Sequence, residues 1–253
     1  MPSRVKDLLA KKKLALGSFI TEIPSPAVPE IFGLAGFDFV IADTEHSSFT
    51  LETVANLVRG GRLAGTDVFV RVRENNPSLI TQALDTGSQG IVVPHCDTKE
   101  DALAAVRRAK YSPLGERGVF GASAAAKYGL VEDYFNKANQ GTMVIVQIES
   151  EEAVENAGEI SSVKGVDVVF VGPYDLSQTL GLIGEVNHPR VEKAIRNVLA
   201  AAKNFEKPAG ILVVDLPGAR KWIKEGVSFV VYSVEALIFR QSLEEIARNV
   251  RAR

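Results

Sequence analysis

Two kinds of hydrophobic pattern alternate along the 253-residue chain. Short runs rich in Val, Ile and Phe predict β-strands, and longer stretches whose apolar positions recur every three or four residues predict amphipathic helices. The predicted strands span residues 14–20, 37–41, 68–72, 90–93, 143–148, 166–171, 209–213 and 228–232. The helices predicted between and after them span residues 51–63, 78–86, 99–109, 151–160, 191–204, 217–225 and 235–250. This alternation is typical of α/β proteins.

The predicted strands are apolar at nearly every position, as in VDVVFV at residues 166–171. Such runs indicate burial on both faces, which is the environment of a parallel sheet covered by helices. Eight strand–helix units favour closure into a (β/α)₈ TIM barrel, a fold of about 250 residues. An open doubly wound sheet is the alternative, but no GxGxxG follows the first strand. No linker divides the chain, so we predict one domain over residues 1–253.

Composition narrows the classes of function. The chain is 46% apolar and 24% charged, as in a folded globular protein, and its 29 basic and 31 acidic residues are spread along it, so we expect no nucleic-acid partner. No stretch approaches the ~18 apolar residues of a membrane span, and the N-terminus lacks the apolar core of a signal peptide. We therefore expect no membrane partner and a cytoplasmic location. The single cysteine, Cys96, excludes an intrachain disulfide and a Cys-based zinc site.

Polar side chains follow several predicted strands at the point where each strand ends, which is where TIM barrels place their active sites. Gln147 and Glu149 are two residues apart on the fifth strand and therefore point to the same side. Asp175 follows the sixth strand. Neighbouring strands lie about 4.8 Å apart, so Asp175 can share a cation with Glu149. Oxygen ligands of this kind suit Mg²⁺, Mn²⁺ or a similar ion. The alternative is that both carboxylates only stabilise helix N-termini.

His46 and Arg71 are the candidates for proton transfer and substrate binding. His46 lies three residues after Asp43, a carboxylate that could orient the imidazole and raise its basicity. Arg71 ends a buried strand and is predicted to bind an anionic substrate. The alternatives are a surface histidine and a structural salt bridge from Arg71 to Asp43 or Glu45. His95, at the end of the fourth strand, could line the pocket or simply fill space.

No predicted strand end carries a lysine. An aldolase that forms an imine needs a lysine there to attack the keto group of its substrate. Electrons released by cleavage of a carbon–carbon bond would therefore have to be held by a metal.

Four segments, read in order, resemble the HpcH/HpaI family of metal-dependent (class II) pyruvate aldolases, which includes 2-dehydro-3-deoxyglucarate and 2-keto-3-deoxyrhamnonate aldolases. They are FDFVIADTEHS at residues 37–47, VRVRENNPSLITQALDTGSQGIVVP at 70–94, YSPLGERGV at 111–119 and VIVQIESEEAVENAGEISSVKGVDVVFVGPYDLSQTLG at 144–181. The D-x-E-H, Q-I-E and G-P-x-D-L-S elements are specific in combination, since each alone is common.

This resemblance implies a (β/α)₈ barrel of the phosphoenolpyruvate/pyruvate type. It also implies that the C-terminal helix, here residues 233–253, is exchanged between the subunits of a homo-oligomer, a dimer that is often assembled further into a hexamer. A divalent cation, Mg²⁺, Mn²⁺ or Co²⁺, would be the cofactor, with Glu149 and Asp175 as its ligands.

The resemblance also implies roles for the other polar residues. Arg71 would contact the keto oxygen of pyruvate, and His46, paired with Asp43, would act as acid and base through a water. Gln147 would help to position groups on the metal. The pyruvate carboxylate would be bound by the backbone of the segment made up of Gly172, Pro173, Tyr174 and Asp175.

The sequence departs from the family pattern where the aldehyde would bind. Glu74 stands where a tryptophan is common, and His95 and Cys96 replace a usual Met-Val pair. Residues 120–129 lack an arginine that is frequent there. These departures leave the identity of the aldehyde open.

We therefore predict a carbon–carbon lyase that reversibly cleaves a 2-keto-4-hydroxy acid to pyruvate and an aldehyde, through an enolate of pyruvate held on the metal. A lyase of the citrate-lyase β or malyl-CoA type is the alternative enzyme. The alternative outside catalysis is a silent barrel that binds a keto acid.

Overall fold

Eight parallel strands form a closed barrel in which the order of the strands follows the chain. The computed structural model describes residues 3–252; residues 1, 2 and 253, which the predicted domain includes, lie outside this range. The strands are β1 (Ala15–Ile20), β2 (Phe39–Asp43), β3 (Asp67–Arg71), β4 (Gly90–Val93), β5 (Met143–Ile148), β6 (Val168–Val171), β7 (Ala209–Val213) and β8 (Phe229–Val234). β8 pairs with β1 and closes the barrel. The predicted (β/α)₈ fold is confirmed.

A helix precedes the first strand, and the helices between the strands cover the outside of the barrel. The helices are α1 (Arg4–Ala10), α2 (Ala27–Leu34), α3 (Leu51–Ala64), α4 (Pro77–Asp85), α5 (Lys99–Ala109), α6 (Tyr134–Gly141), α7 (Glu151–Glu155), α8 (Ala157–Ser162), α9 (Pro173–Thr179), α10 (Pro189–Asn204), α11 (Leu216–Lys224) and α12 (Glu235–Arg251). The helix predicted over residues 151–160 is in fact two helices that meet at Asn156, whose side chain donates to the backbone oxygen of Asp97 (2.9 Å). The short helices α2, α6 and α9 were not predicted.

Local signals explain where individual helices begin and end. At the start of α3 the Thr50 hydroxyl accepts a hydrogen bond from the Thr53 N–H (3.2 Å), and the helix ends at Gly65 with φ of 68°. A side chain that caps the first turn and a left-handed glycine after the last turn satisfy backbone groups that the helix itself leaves unpaired. The apolar face of α3 packs against the strands through Val54, Leu57 and Val58.

Aromatic rings fill the centre of the barrel. Phe39, Phe69, Phe170 and Phe229 are each no more than 1% exposed. Phe39 and Phe229 stack with their ring centroids 4.2 Å apart. Glycine makes room for these rings, because a Cβ atom at Gly17 would lie 2.3 Å from the Phe39 ring. The interior is therefore a packed core, as is usual for this fold, and a ligand can enter only above it.

Strand periodicity determines which side chains point into the barrel. Along β2, Phe39 and Ile41 belong to the inner core, while Val40 and Ala42 pack outward under the helices. The same alternation brings the next inward position, Asp43, to the carboxyl end of the strand. We call the end of the barrel where the carboxyl ends of the strands open the mouth, and the opposite end the base.

The first helix, α1, closes the base. Val5 is fully buried in the inner core, and its N–H donates to Asp67, the first residue of β3 (2.9 Å). The Ser3 hydroxyl donates to the same carboxylate (2.7 Å).

The last helix, α12, is not packed along the barrel in this way. Among its described residues only Glu235 is buried. Its exposed apolar side chains are Leu237, Phe239, Leu243, Ile246 and Val250. The exchange of residues 233–253 between subunits stays a prediction; the helix itself begins at Glu235, because β8 continues to Val234. Within residues 3–252 no helix is long and apolar enough to cross a membrane.

Candidate active site

A buried ion pair lies at the floor of the mouth, directly above the aromatic core. Arg71 Nε is 2.8 Å from Asp43 Oδ1, and Arg71 Nη2 is 2.7 Å from Asp43 Oδ2. Arg71 Nη1 also lies 3.2 Å from Glu45 Oε2, and the guanidinium stands 4.5 Å from the centroid of the Phe19 ring. Arg71 therefore forms both salt bridges, to Asp43 and to Glu45, that the sequence offered as an alternative to substrate binding. They hold the guanidinium in one orientation, which is also what a substrate-binding arginine needs.

The charge of Arg71 is secured by its neighbours. Burial alone would lower the pKa of the guanidinium, but the hydrogen bonds and charge of Asp43, together with the charges of Glu45 and Glu149, raise that pKa above its ordinary value. Arg71 therefore stays a cation at any pH at which the protein is folded.

The pairing of His46 with Asp43 differs from the expectation. Asp43 accepts hydrogen bonds from the backbone N–H groups of Glu45 (3.0 Å) and His46 (3.3 Å), and its carboxylate is otherwise occupied by Arg71. The His46 side chain is 64% exposed, and its Nε2 lies 3.8 Å from Glu45 Oε2. Asp43 thus orients the loop that carries His46, whereas Glu45 is the carboxylate near the imidazole.

Gln147 and Glu149 lie side by side, as the two-residue period of a strand predicts. Gln147 Nε2 donates to Glu149 Oε2, and each residue is only 2% exposed. Burial raises the pKa of the Glu149 carboxyl above its ordinary value, and the charge of Asp175 acts in the same direction, although hydrogen bonds from His95 and Gln147 oppose the shift. A buried carboxylate that feels a second carboxylate is stabilised when a cation joins them.

The segment after β6 supplies the remaining predicted residues. Gly172 is buried, and a Cβ atom there would lie 2.8 Å from Glu149 Oε2. Pro173 opens α9, Tyr174 is 41% exposed, and Asp175 lies in the first turn of that helix. Glycine therefore keeps the space beside Glu149 open, and α9 carries Asp175 toward it.

Comparison with known proteins identifies the family. The profile of the HpcH/HpaI aldolase/citrate lyase family matches residues 19–241. The chain belongs to the HpcH/HpaI family.

Two relatives and one solved structure illustrate the match. The 5-keto-4-deoxy-D-glucarate aldolase of Escherichia coli O6:H1 is 36% identical over 97% of this chain and 96% of its own length. The enzyme of the same name from Citrobacter koseri is 35% identical over 97% of this chain and 95% of its own length. An HpcH/HpaI aldolase/citrate lyase family protein from Burkholderia cenocepacia superposes with a TM-score of 0.95 at 33% identity, covering 99% of this chain and 100% of that one. The predicted family and the predicted class of enzyme, an aldolase and hence a carbon–carbon lyase, are confirmed.

The sequence left two alternatives for His95, which could line the pocket or simply fill space, and the structure places it in this HpcH/HpaI site. Its N–H donates to Glu149 Oε1 (2.7 Å), its Nδ1 lies 3.1 Å from the same oxygen, and its Nε2 lies 3.2 Å from Glu45 Oε1. The backbone of His95 is in the left-handed region, with φ of 50°, which is uncommon for residues other than glycine. The departure from the Met-Val pair of the family was the available signal, but sequence alone does not show what the imidazole contacts.

The donor set fits the divalent cation that the HpcH/HpaI family implies. Gln147 Oε1 is a buried acceptor with no hydrogen-bond partner among residues 3–252, and it lies beside the desolvated Glu149 carboxylate. In the same part of the chain no group of three or more His, Cys, Asp or Glu side chains is placed to hold a metal ion. The two carboxylates of Glu149 and Asp175 would leave coordination positions for substrate and water, and the Gln147 oxygen could accept from a group bound there, which suits a hard ion such as Mg²⁺. No strand of the described chain carries a lysine.

Proposed function

We propose that this enzyme reversibly cleaves a 2-keto-4-hydroxy acid to pyruvate and an aldehyde. The observation that carries the proposal is the buried pair of Gln147 and Glu149 at the mouth of a closed barrel, where the charge of Glu149 acts on the oriented guanidinium of Arg71. An acidic metal site next to a fixed cation is suited to a negative charge that develops on a keto oxygen. The names of the relatives describe the same type of reaction.

Glu149 and Asp175 would hold the divalent cation, for which Mg²⁺, Mn²⁺ and Co²⁺ are the candidates. The cation would supply positive charge that stabilises the enolate of pyruvate. Gln147 donates to Glu149 and thereby orients it. Arg71, locked by Asp43, would donate to the keto oxygen as its charge grows during cleavage.

The remaining site residues would handle the carboxylate and the proton. The backbone around Gly172, Pro173 and Tyr174, where α9 begins, would bind the pyruvate carboxylate. The exposed imidazole of His46 would take the proton of the 4-hydroxyl group through a water when the C3–C4 bond breaks. It would then give a proton to C3 of the enolate, which becomes the methyl group of pyruvate, and both transfers would run backwards in the aldol direction.

The relatives also indicate a substrate to assay first. Numbered from its keto-acid end, 5-keto-4-deoxy-D-glucarate is a 2-keto-4-hydroxy acid, so its cleavage produces pyruvate and an aldehyde that bears a hydroxyl and a carboxylate. We propose aldehydes of this oxygenated kind as the partners of pyruvate here.

We further propose that the chain folds as one domain over residues 1–253 and works as a homo-oligomer built from dimers in which α12 packs on a second copy. The exposed apolar stripe of α12 supports this, because its side chains Phe239, Leu243 and Ile246 are each at least half exposed within the described chain. Assembly into a hexamer and a cytoplasmic location stay predictions.

Exchange of the pyruvate methyl protons in D₂O tests the proposed function without any aldehyde. Metal-loaded enzyme should replace these protons with deuterium, and a chelator should stop the exchange reversibly, as followed by loss of the methyl signal in NMR. His46→Ala should slow exchange by roughly 10²–10⁴-fold, the usual contribution of a positioned acid or base. His188→Asn, a change at the start of α10 that keeps a capping side chain, is the matched control. Exchange by the metal-loaded enzyme no faster than in protein-free buffer would refute a pyruvate-enolate mechanism.

A further inference from the structure

His95 lies between the residue proposed to hold the keto acid through the cation and the loop that carries the proposed acid–base residue. Through Nδ1 it contacts Glu149, on the side where the keto acid would be held, with a distance of 3.1 Å to Oε1. Through Nε2 it contacts Glu45, with a distance of 3.2 Å to Oε1. The other oxygen of Glu45 is the one that lies 3.8 Å from His46 Nε2. His95 therefore spans the gap between Glu149, the proposed metal ligand, and Glu45, the carboxylate near the imidazole of His46.

The connectivity of the substrate places its far half in this gap. In the proposed reaction, C2 carries the keto oxygen near Glu149, and C4 carries the hydroxyl that His46 serves. The carbon that follows C4 belongs to the aldehyde product. In the bound substrate it would lie beside the His95 side chain, which spans the gap. The His95 side chain is 62% exposed, so it borders open space instead of packing in the core.

A hydroxyl group is the chemistry that matches this imidazole. Glu45 is positioned to accept a hydrogen bond from Nε2. Nδ1 shares Glu149 Oε1 with the backbone N–H of His95, and a cation on Glu149 would compete with Nδ1 for that oxygen, which would leave Nδ1 available to the substrate. A hydroxyl can donate to or accept from a ring nitrogen, so it can pair with Nδ1 in either state. A carboxylate at the same point would meet the negative charges of Glu45 and Glu149.

Two features fix the backbone that carries the His95 ring. The His95 N–H is held by Glu149 Oε1 at 2.7 Å, and the residue keeps a left-handed backbone with φ of 50°. Non-glycine residues keep such a conformation only where the surrounding structure enforces it, and they cluster at functional sites.

We propose that His95 is a specificity residue that selects aldehydes with a hydroxyl group on the carbon next to the carbonyl. This inference rests on the proposed function. The selected group is one hydroxyl, and the binding partner is the imidazole of His95 as oriented by Glu45.

The test compares two aldehydes that differ only by that hydroxyl, glycolaldehyde and acetaldehyde, in aldol addition to pyruvate with metal-loaded enzyme. The measured quantity is the ratio of kcat/KM for glycolaldehyde to kcat/KM for acetaldehyde, so an effect on the pyruvate half cancels. His95→Leu should lower this ratio by roughly 10- to 100-fold, the usual cost of an unpaired hydroxyl. His95→Gln, which keeps a donor and an acceptor, should retain most of it. His95→Met offers a second apolar variant should the leucine variant not fold.

The outcomes separate the inference from the function on which it rests. If wild-type enzyme does not exchange the methyl protons of pyruvate in D₂O, the proposed function fails and the inference fails with it. If wild type exchanges them but the apolar variants keep the wild-type ratio, only the inference about His95 fails. A role limited to orienting Glu149 would slow both aldehydes by the same factor, which also leaves the ratio unchanged and overturns the proposal.

Discussion

The two ends of the barrel differ in what surrounds their buried carboxylates. At the mouth, Glu149 is buried within the field of Asp175, and the acceptor oxygen of Gln147 has no partner in the described chain. At the base, acidic residues at the start of β3 and just before β2 and β6 accept hydrogen bonds from backbone N–H groups. Asp67 accepts from Ser3 and Val5, for example, so its carboxylate ties α1 to β3.

The base repeats this arrangement around the barrel. Arg4 of α1 is 2.8 Å from Asp38, whose carboxylate also accepts from the Leu16 N–H (3.0 Å). Lys6 is 3.1 Å from Asp167, which accepts from a backbone N–H of β5 (2.9 Å). Polar groups paired in this way hold the first helix against the strands.

This difference separates the charged residues that stabilise the fold from those that take part in the reaction. In this fold, conserved chemistry is expected at the mouth and structural pairing at the base. Two carboxylates left for a cation to join at the mouth cost stability until the cation binds, whereas the hydrogen-bonded carboxylates at the base tie α1 to the strands. Changes at the mouth should therefore alter activity, and changes at the base should alter the free energy of unfolding.

The largest effect is expected from Glu149→Gln at the mouth. Activity should fall by a factor on the order of 10³ or more, because a metal ligand is lost. The melting temperature of the metal-free variant should be no lower than that of wild type, because burial penalises the Glu149 carboxylate. Metal should raise the melting temperature of wild type but not of the variant. Glu151→Gln, an exposed change on the helix that follows, is the control. Full metal-dependent activity in Glu149→Gln would contradict the ligand assignment.

A smaller effect, of the opposite kind, is expected from Asp67→Ala at the base. The change leaves the Ser3 hydroxyl and the Val5 N–H unpaired, which should lower the free energy of unfolding by about 3 kcal/mol. Urea unfolding monitored by circular dichroism measures it. Asp67→Asn keeps an acceptor oxygen and should lose much less. The kcat of folded Asp67→Ala should match wild type, and a loss of kcat comparable to that of Glu149→Gln would break the contrast between the two ends.

The smallest effect concerns Lys110 at the base, whose Nζ donates to the backbone oxygens of Asn139 (2.9 Å) and Thr142 (2.5 Å). Burial lowers the pKa of Lys110 from 10.5 to about 8. Above the folded pKa the native protein has released this proton while the unfolded chain still holds it, so raising the pH favours folding. Between pH ~7.5 and ~9.5, wild type should gain about 2 kcal/mol relative to Lys110→Met. Urea unfolding at the two pH values measures this, and a constant difference would show that the lysine does not titrate in this range.

Local pattern was sufficient to predict the elements of the barrel. All eight strands were predicted with their ends displaced by no more than two residues. A short apolar run rich in β-branched residues and bounded by turn signals is typical of a buried strand. The two-residue period of a strand was also enough to predict that Gln147 and Glu149 lie side by side. The positions of Arg71 and of Gly172 to Asp175 at the mouth follow from the fold once the strands are known.

Contacts between distant segments could not be predicted in the same way. The sequence favoured a pairing of Asp43 with His46, three positions away, and offered its salt bridge to Arg71 only as an alternative. In the folded chain the carboxylate of Asp43 binds Arg71, because β2 and β3 pair in a register that sets those two residues side by side. The bridge from His95 to Glu45 and Glu149 depends on the relative height of three strand ends. The sequence alone thus determined the fold and the residues that reach the mouth, since both follow from local periodicity. Which of those residues pair with one another was decided only by tertiary structure, since pairing depends on strand register and on competition between charges that meet only in the closed barrel.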